Sequence, residues 1–218
     1  MTHQDNTQHT EHKEEHQHEH HTHDHAHAHG RAPGQDDGGN DDLKRQLETQ
    51  RRLKDKFLLE HPQSPLLPED KEHFEGAHYY PVDGRYRVTA TFVPEEHPGT
   101  FRVQTTTGDS KEYTRAGRLN FQVDDQNLSL VAFLPPADEP LHGNRLFVPF
   151  RDRTSGKETY GAGRYLDLNK RPGDQYVVDF NRAYNPYCAY SPYYSCPIPP
   201  GENNLPVEIR AGEKSFHD

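Results

Sequence analysis

The sequence predicts a mainly β fold, an antiparallel β-sandwich or barrel preceded by one amphipathic α-helix and a disordered N-terminal tail. Three observations carry that expectation. From Tyr86 onward, apolar residues recur at every second position in short runs. Pairs such as Pro98-Gly99, Gly108-Asp109, Asp124-Asp125 and Pro172-Gly173 fall between the runs, where turns belong. Composition also changes sharply near residue 42, so the 30% apolar content of the 218 residues averages two unlike segments.

The first segment, residues 1–42, holds four apolar residues (Met1, Ala26, Ala28 and Ala32) and ten acids against two bases, which accounts for -8 of the formal charge of -10. Such a chain cannot bury enough apolar surface to offset the entropy of folding, and it reads as a disordered acidic tail. Eleven of the 17 histidines lie between His3 and His29. They alternate in two runs, His16, His18 and His20, then His21, His23, His25, His27 and His29. Neutral imidazole is a borderline-soft ligand for zinc, nickel or copper, and Glu19 and Asp24 add carboxylate oxygens between the rings. The expectation is several overlapping sites for divalent transition metal, of weak to moderate affinity, released as the rings protonate. A solubilising tail, or a pH-responsive one near the imidazole pKa of about 6.5, are the competing readings.

Residues 30–42 combine glycine, proline and acids and form a linker. A helix follows over 43–60. Leu43, Leu47, Leu53, Phe57 and Leu58 fall within an arc of about 140° at 100° per residue. Asn40 to Asp42 supply the cap and favourable charge, Glu48 stands four residues before Arg52, and His61-Pro62 stops the helix. It is expected to lie over a sheet edge or a barrel end.

The strands are expected at 86–92, 101–104, 119–123, 128–134, 146–150, 164–168 and 176–180, all within a domain spanning 43–218. Alternation of apolar and polar residues implies that one face of each strand is wet. No apolar run approaches the roughly 18 residues of a membrane span or resembles a secretory leader. The domain is not basic enough to capture nucleic acid, and two cysteines are too few for a disulfide scaffold. A soluble, cytoplasmic protein is predicted.

Polar and aromatic residues crowd the last third. Arg164 and Arg182 can each clamp a carboxylate or phosphate bidentately, or pair with Asp167, Asp179 or Glu202. Prolines 186, 192, 197, 199, 200 and 206 make 185–206 a long coil. Tyrosines 184, 187, 190, 193 and 194 can anchor that coil as a clasp or line it as a pocket wall. Cys188 and Cys196 stand eight apart, without zinc-site spacing. They read as inert thiols, as a disulfide or redox pair, or with Cys188 as a nucleophile served by His78, His97 or His142.

Three stretches, HYYPVDGRYRV, GAGRYLDL and DFNRAYNPYCAYSPYYSCPIPPGENNLPVEIRAGEK, resemble the bacterial and archaeal family known as domain of unknown function 1684. The resemblance covers about residues 45–214 and leaves the histidine tail outside it. It implies no reaction, substrate or cofactor.

The leading functional expectation is therefore a non-enzymatic binding protein whose tail, at His16 to His29, holds metal, with no cofactor required by the domain. The second is an enzyme or binder for a small anionic ligand, using Arg164, Arg182, Tyr184, Asn185, Cys188 and Glu202, with Glu158 or Cys188 as reactive groups. The third is a protein-interaction module.

Overall fold

Each of the alternating runs becomes a strand. A computed structural model describes residues 37–136 and 143–217, with side chains from Asp41 onward. The histidine runs from His16 to His29, the other tail residues through Asp36, and His142 lie outside the described residues. The strands are β1 (Arg87–Pro94), β2 (Thr100–Gln104), β3 (Ser110–Val123), β4 (Gln126–Leu134), β5 (Arg145–Phe150), β6 (Arg164–Asn169) and β7 (Gln175–Asp179). All pairings between them are antiparallel, in the order β6-β5-β4-β3-β1-β7, and β2 pairs with the first half of β3. The end strands β6 and β7 approach each other, so the sheet curls into a nearly closed barrel.

Local chemistry fixes the register. β3 and β4 are joined through Asp124 and Asp125, both at positive φ (45° and 62°), the signature of a tight two-residue hairpin that aspartate tolerates. β3 starts at Ser110, well before the predicted Leu119, because its first half is mostly polar and fully buries only Tyr113, so it shows no apolar alternation. A bulge between Arg115 and Gly117 then bends it; a side chain at Gly117 would collide with the Val93 carbonyl and the Phe92 ring.

The barrel interior is filled by residues of one parity, among them Ala90, Leu119, Phe121, Leu130, Leu146, Val148, Phe150, Leu166 and Val178. Residues of the opposite parity form a second buried cluster outside the barrel: Val103, Tyr113, Val131, Phe133, Phe147 and Tyr165. β5 and much of β4 are thus buried on both faces, where alternation predicts one wet face. The reason is the C-terminal coil, which lies on that outer face. Tyr165 and Tyr184 exchange backbone hydrogen bonds (2.9 and 3.0 Å), and the Ile198 N–H donates to the Gln104 carbonyl at 2.7 Å.

The coil also mends the sheet. Among the described residues, β4 and β5 register only at Phe133 and Phe147. Beyond that point the Asn203 side chain stands in for the missing ladder. Its carbonyl accepts from the Val131 N–H at 2.8 Å, and its amide donates to the Val131 and Pro149 carbonyls at 2.9 and 2.7 Å.

Helix α1 (Asp37–Glu60) begins before the predicted residue 43. Leu47 and Leu58 are buried as expected, but Leu53 is 62% exposed. Arg51 and Lys54 turn inward instead: Arg51 donates to the Tyr80 carbonyl at 3.1 Å, and Lys54 to Glu213 at 2.6 Å. Arg52 donates to Thr49 at 3.1 Å rather than pairing with Glu48. A short α2 (Pro68–Glu72) follows. No described helix is long and apolar enough to cross a membrane.

Candidate functional site

The coil that covers the outer face of the sheet leaves a gap. A pocket of about 290 Å³ opens between β3, β5 and β6 on one side and residues 184–187 and 194–197 on the other. Its walls are rings. Tyr113 stacks on Phe147 (centroids 5.4 Å apart), Phe147 meets Tyr165 edge-on at 4.8 Å, and Tyr165 meets Tyr184 edge-on at 5.8 Å. Tyr187 and Tyr194 pack edge to face at 5.2 Å on the coil side. The Tyr165 hydroxyl donates to the Pro197 carbonyl, which fixes the coil against β6. Lys111 and Arg145 bring two cationic side chains to the lining. Arg145 donates to Asp167 at 3.2 Å, and the Tyr184 hydroxyl donates to the same carboxylate at 2.8 Å. Burial raises the Asp167 carboxyl above the usual carboxylate range, against the pull of the Tyr184 hydrogen bond and of Arg145.

Such a chamber can hold a flat apolar or aromatic group by edge and face contacts while a cation meets an anionic substituent. A second groove, of about 490 Å³, runs past His78, Lys157, Glu158, Tyr160, Lys214 and His217. It is larger, but its Glu158 and Lys214 already have partners. Glu158 accepts from Arg210 at 2.8 Å and from the Tyr80 hydroxyl at 2.9 Å, and Lys214 lies 5.3 Å from the Tyr80 ring centroid. The hydrogen bonds from Arg210 and then Tyr80 hold the Glu158 carboxyl below its ordinary range, which suits an ion pair rather than a proton-transfer group.

The residues expected to form one anion site are dispersed. Arg164 is 1% exposed. Its guanidinium donates to Asp152 at 2.7 Å and to the backbone carbonyls of Ile209 (2.8 Å), Glu213 (3.0 Å) and Ala211. Its partner acid is Asp152, not Asp167, Asp179 or Glu202. Glu202 pairs with Arg115 and Arg118 away from the pocket. Arg182 does pair with Asp179, at 3.4 Å, and donates to Gln50 on α1 at 2.5 Å. Together with Tyr184 it lines a small cavity of about 90 Å³ against Arg51 and Lys54. Tyr184 and Asn185 do line the aromatic pocket. Asn185 is buried, its N–H donating to Glu213 at 2.8 Å and its amide to the Lys214 carbonyl at 2.7 Å.

Cys188 sits on the single turn Tyr187–Ala189, and Cys196 forms part of the pocket wall; both are free thiols. The Cys188 N–H donates to the Cys196 sulfur at 3.3 Å, and the Tyr160 hydroxyl lies 3.6 Å from the Cys188 sulfur. His97 is exposed in the β1–β2 connection, and among the described residues the polar groups at the Cys188 sulfur are those of Cys196, Tyr160 and Thr106 rather than an imidazole.

Lys111, Tyr113, Arg145, Phe147 and Tyr165 escaped the sequence reading. The available signal is the unbroken apolar run Leu146 to Phe150, which marks a strand covered on both faces. Once the outer face is covered, Phe147 must point at something other than water.

No curated protein matches the chain. Among solved structures, the solution NMR structure of an uncharacterized protein from Haloarcula marismortui is 39% identical, covering 84% of this chain and 99% of that chain with a TM-score of 0.65. The family model described as Protein of unknown function (DUF1684) matches residues 72–214, a stretch that holds the whole barrel and the coil that walls its outer pocket, and the chain belongs to that family.

Proposed function

We propose that the domain is a binding protein for a small planar ligand carrying an anionic group, held in the pocket between β3, β5, β6 and the C-terminal coil. The single observation behind this reading is an aromatic-lined pocket of about 290 Å³ with Lys111 and Arg145 in its lining. Rings on several sides favour a flat apolar body, and the two cations favour a carboxylate, sulfonate or phosphate on it. Two fluorescent probes separate these contributions: anilinonaphthalene sulfonate, and the uncharged phenylnaphthylamine. Both are expected to bind saturably. The double change Lys111→Gln and Arg145→Gln should weaken the sulfonate about tenfold, on the order of 1.4 kcal/mol, and leave the neutral probe within about twofold. Ser195→Trp, at the coil side of the pocket, should abolish both. Failure of either probe to saturate, or binding indifferent to Ser195→Trp, rejects the reading.

A second reading concerns the tail, and it rests on the eleven histidines between His3 and His29. We propose that the runs from His16 to His29 chelate zinc, nickel or copper as a flexible multidentate ligand. Calorimetric titration of the full chain with zinc near neutral pH should show uptake that disappears on removal of residues 1–29 and fades below the imidazole pKa of about 6.5. Equal uptake by the shortened chain would reject it. We further propose a reducing, cytoplasmic setting, in which the two free thiols would persist.

A further inference from the structure

We propose that Cys188 and Cys196 form a thiol–disulfide exchange pair, with Cys188 as the attacking sulfur, Cys196 as the resolving one, and a low-molecular-weight disulfide as oxidant. The inference does not depend on the ligand reading, although Cys196 borders the pocket.

Position distinguishes the two sulfurs. Cys188 is partly exposed and Cys196 is buried. The 3.3 Å hydrogen bond from the Cys188 N–H brings the Cys196 sulfur within reach of the side chain on that same residue. The surroundings hold that approach from both ends. Tyr160 donates to the Cys188 carbonyl at 3.1 Å, and the Cys196 N–H donates to the Thr106 hydroxyl at 3.2 Å. Only eight positions separate the cysteines, so the ring that a disulfide closes lies within the coil.

Charge separates them further. A hydrogen bond from Cys196 leads the effects that lower the Cys188 thiol, with Tyr160 and Thr106 assisting against burial. The same hydrogen bond, and then burial, push the Cys196 thiol up, with Lys111 opposing weakly. The titratable groups facing the pair are thus Tyr160, Tyr165, Tyr187 and Lys111, and burial raises all three tyrosine hydroxyls, so they stay protonated. A buried structural cysteine in apolar surroundings has a raised pKa and is inert; a partly exposed thiolate beside a protonated neighbour is the arrangement that exchange chemistry uses.

The steps balance. The Cys188 thiolate attacks one sulfur of the small disulfide; a new sulfur–sulfur bond forms, the original one breaks, and one small thiolate leaves and takes up a proton. Cys196 then gives up its proton and attacks the Cys188 sulfur. The protein disulfide forms, the second small thiolate leaves and is protonated, and one small disulfide has been reduced to two thiols while two protein thiols are oxidised.

The test incubates the full chain with excess oxidised glutathione and follows it by intact mass and thiol titration. Wild type should lose both thiols together, with a mass lower by two hydrogens and no retained adduct. Cys196→Ser should accumulate one glutathione on Cys188, and Cys188→Ser should leave Cys196 unmodified while folded. Iodoacetamide should alkylate Cys188 ~10-fold faster in the folded chain than in urea near neutral pH, because only a few per cent of an ordinary thiol is ionised there. Folded wild type that keeps both thiols while the urea-unfolded chain loses them overturns the proposal. So does a wild-type adduct on Cys188 that Cys196 never displaces, and both readouts are independent of the variants' folding.

Discussion

Arg164 and Tyr184 stand twenty positions apart in the same polar, aromatic part of the chain, yet the structure uses their surroundings in opposite ways. Around Arg164 only the Nε–H is left over. The guanidinium is buried, and its two terminal nitrogens are taken by Asp152 and three backbone carbonyls of the final segment. Around Tyr184 the coil meets the outer sheet face with a gap, and rings line it without filling it. A cluster of arginine, tyrosine and asparagine is therefore scaffold where its donors meet backbone carbonyls in a filled interior. It is a candidate site where rings border an open gap instead of a filled interior. Residue type does not separate the two cases; the destination of the donors does.

The sharpest test of that contrast is Arg164→Ala. It would strand the Asp152 carboxylate in a buried setting and leave three carbonyls without a donor. Removing one partner of a buried ion pair costs about 3–5 kcal/mol, so urea unfolding should show a loss of that size. Where the variant is folded, affinity for the naphthalene probes should stay within about twofold. A variant with wild-type stability and no probe binding would reverse the assignment of the two regions.

Asn203→Ala should come next. Its side chain makes three hydrogen bonds to strand backbone, and all three bridge the place where β4 and β5 part. Burying the Val131 N–H and the Val131 and Pro149 carbonyls without partners costs about 2–3 kcal/mol in total if water replaces some of them. The loss should appear in the same unfolding curves, together with faster hydrogen exchange at Val131. An unchanged exchange rate would mean that the coil is not what holds the split sheet.

Much of the barrel was legible and little of the pocket was, for one physical reason. Period-two alternation reports which side of a strand faces a core, so the strand positions of β1, β4, β5, β6 and β7 follow within a residue or two. It reports nothing about what arrives later to cover the other side. The coil's aromatic residues were visible as candidates for a clasp or a wall, but their counterparts Phe147 and Tyr165 lie on strands that ordinary sheet packing already explained, and Tyr113 lies on the first half of β3, outside any expected strand. Helix α1 shows the same limit. Its apolar arc located the element, yet Arg51 and Lys54 took inward places next to Leu47 and Leu58, because Tyr80 and Glu213 offer acceptors that no helical periodicity encodes. Arg164 misled for a related reason: its long-range partners, Asp152 and the carbonyls of 209–213, are invisible to sequence spacing.

The smallest expected effect belongs to Glu202, the candidate that the structure places in neither region. Its carboxylate bridges Arg115 and Arg118, with its side chain 36% exposed. Hydrogen bonding to Arg115, then to Arg118, holds it below its ordinary range in spite of partial burial. A carboxyl depressed in the folded state contributes stability above its unfolded pKa of about 4.3 and loses that contribution as pH falls through the lower folded value. Solvent screens an ion pair this exposed, so Glu202→Gln should cost no more than about 0.5–1 kcal/mol at neutral pH and low salt. The gap between variant and wild type should narrow in high salt and close as acid titrates the carboxyl. Probe affinity should not move, because no pocket group contacts Glu202. A cost several times larger, insensitive to salt, would instead align Glu202 with the Arg164 region, as part of the buried frame rather than of the surface around it.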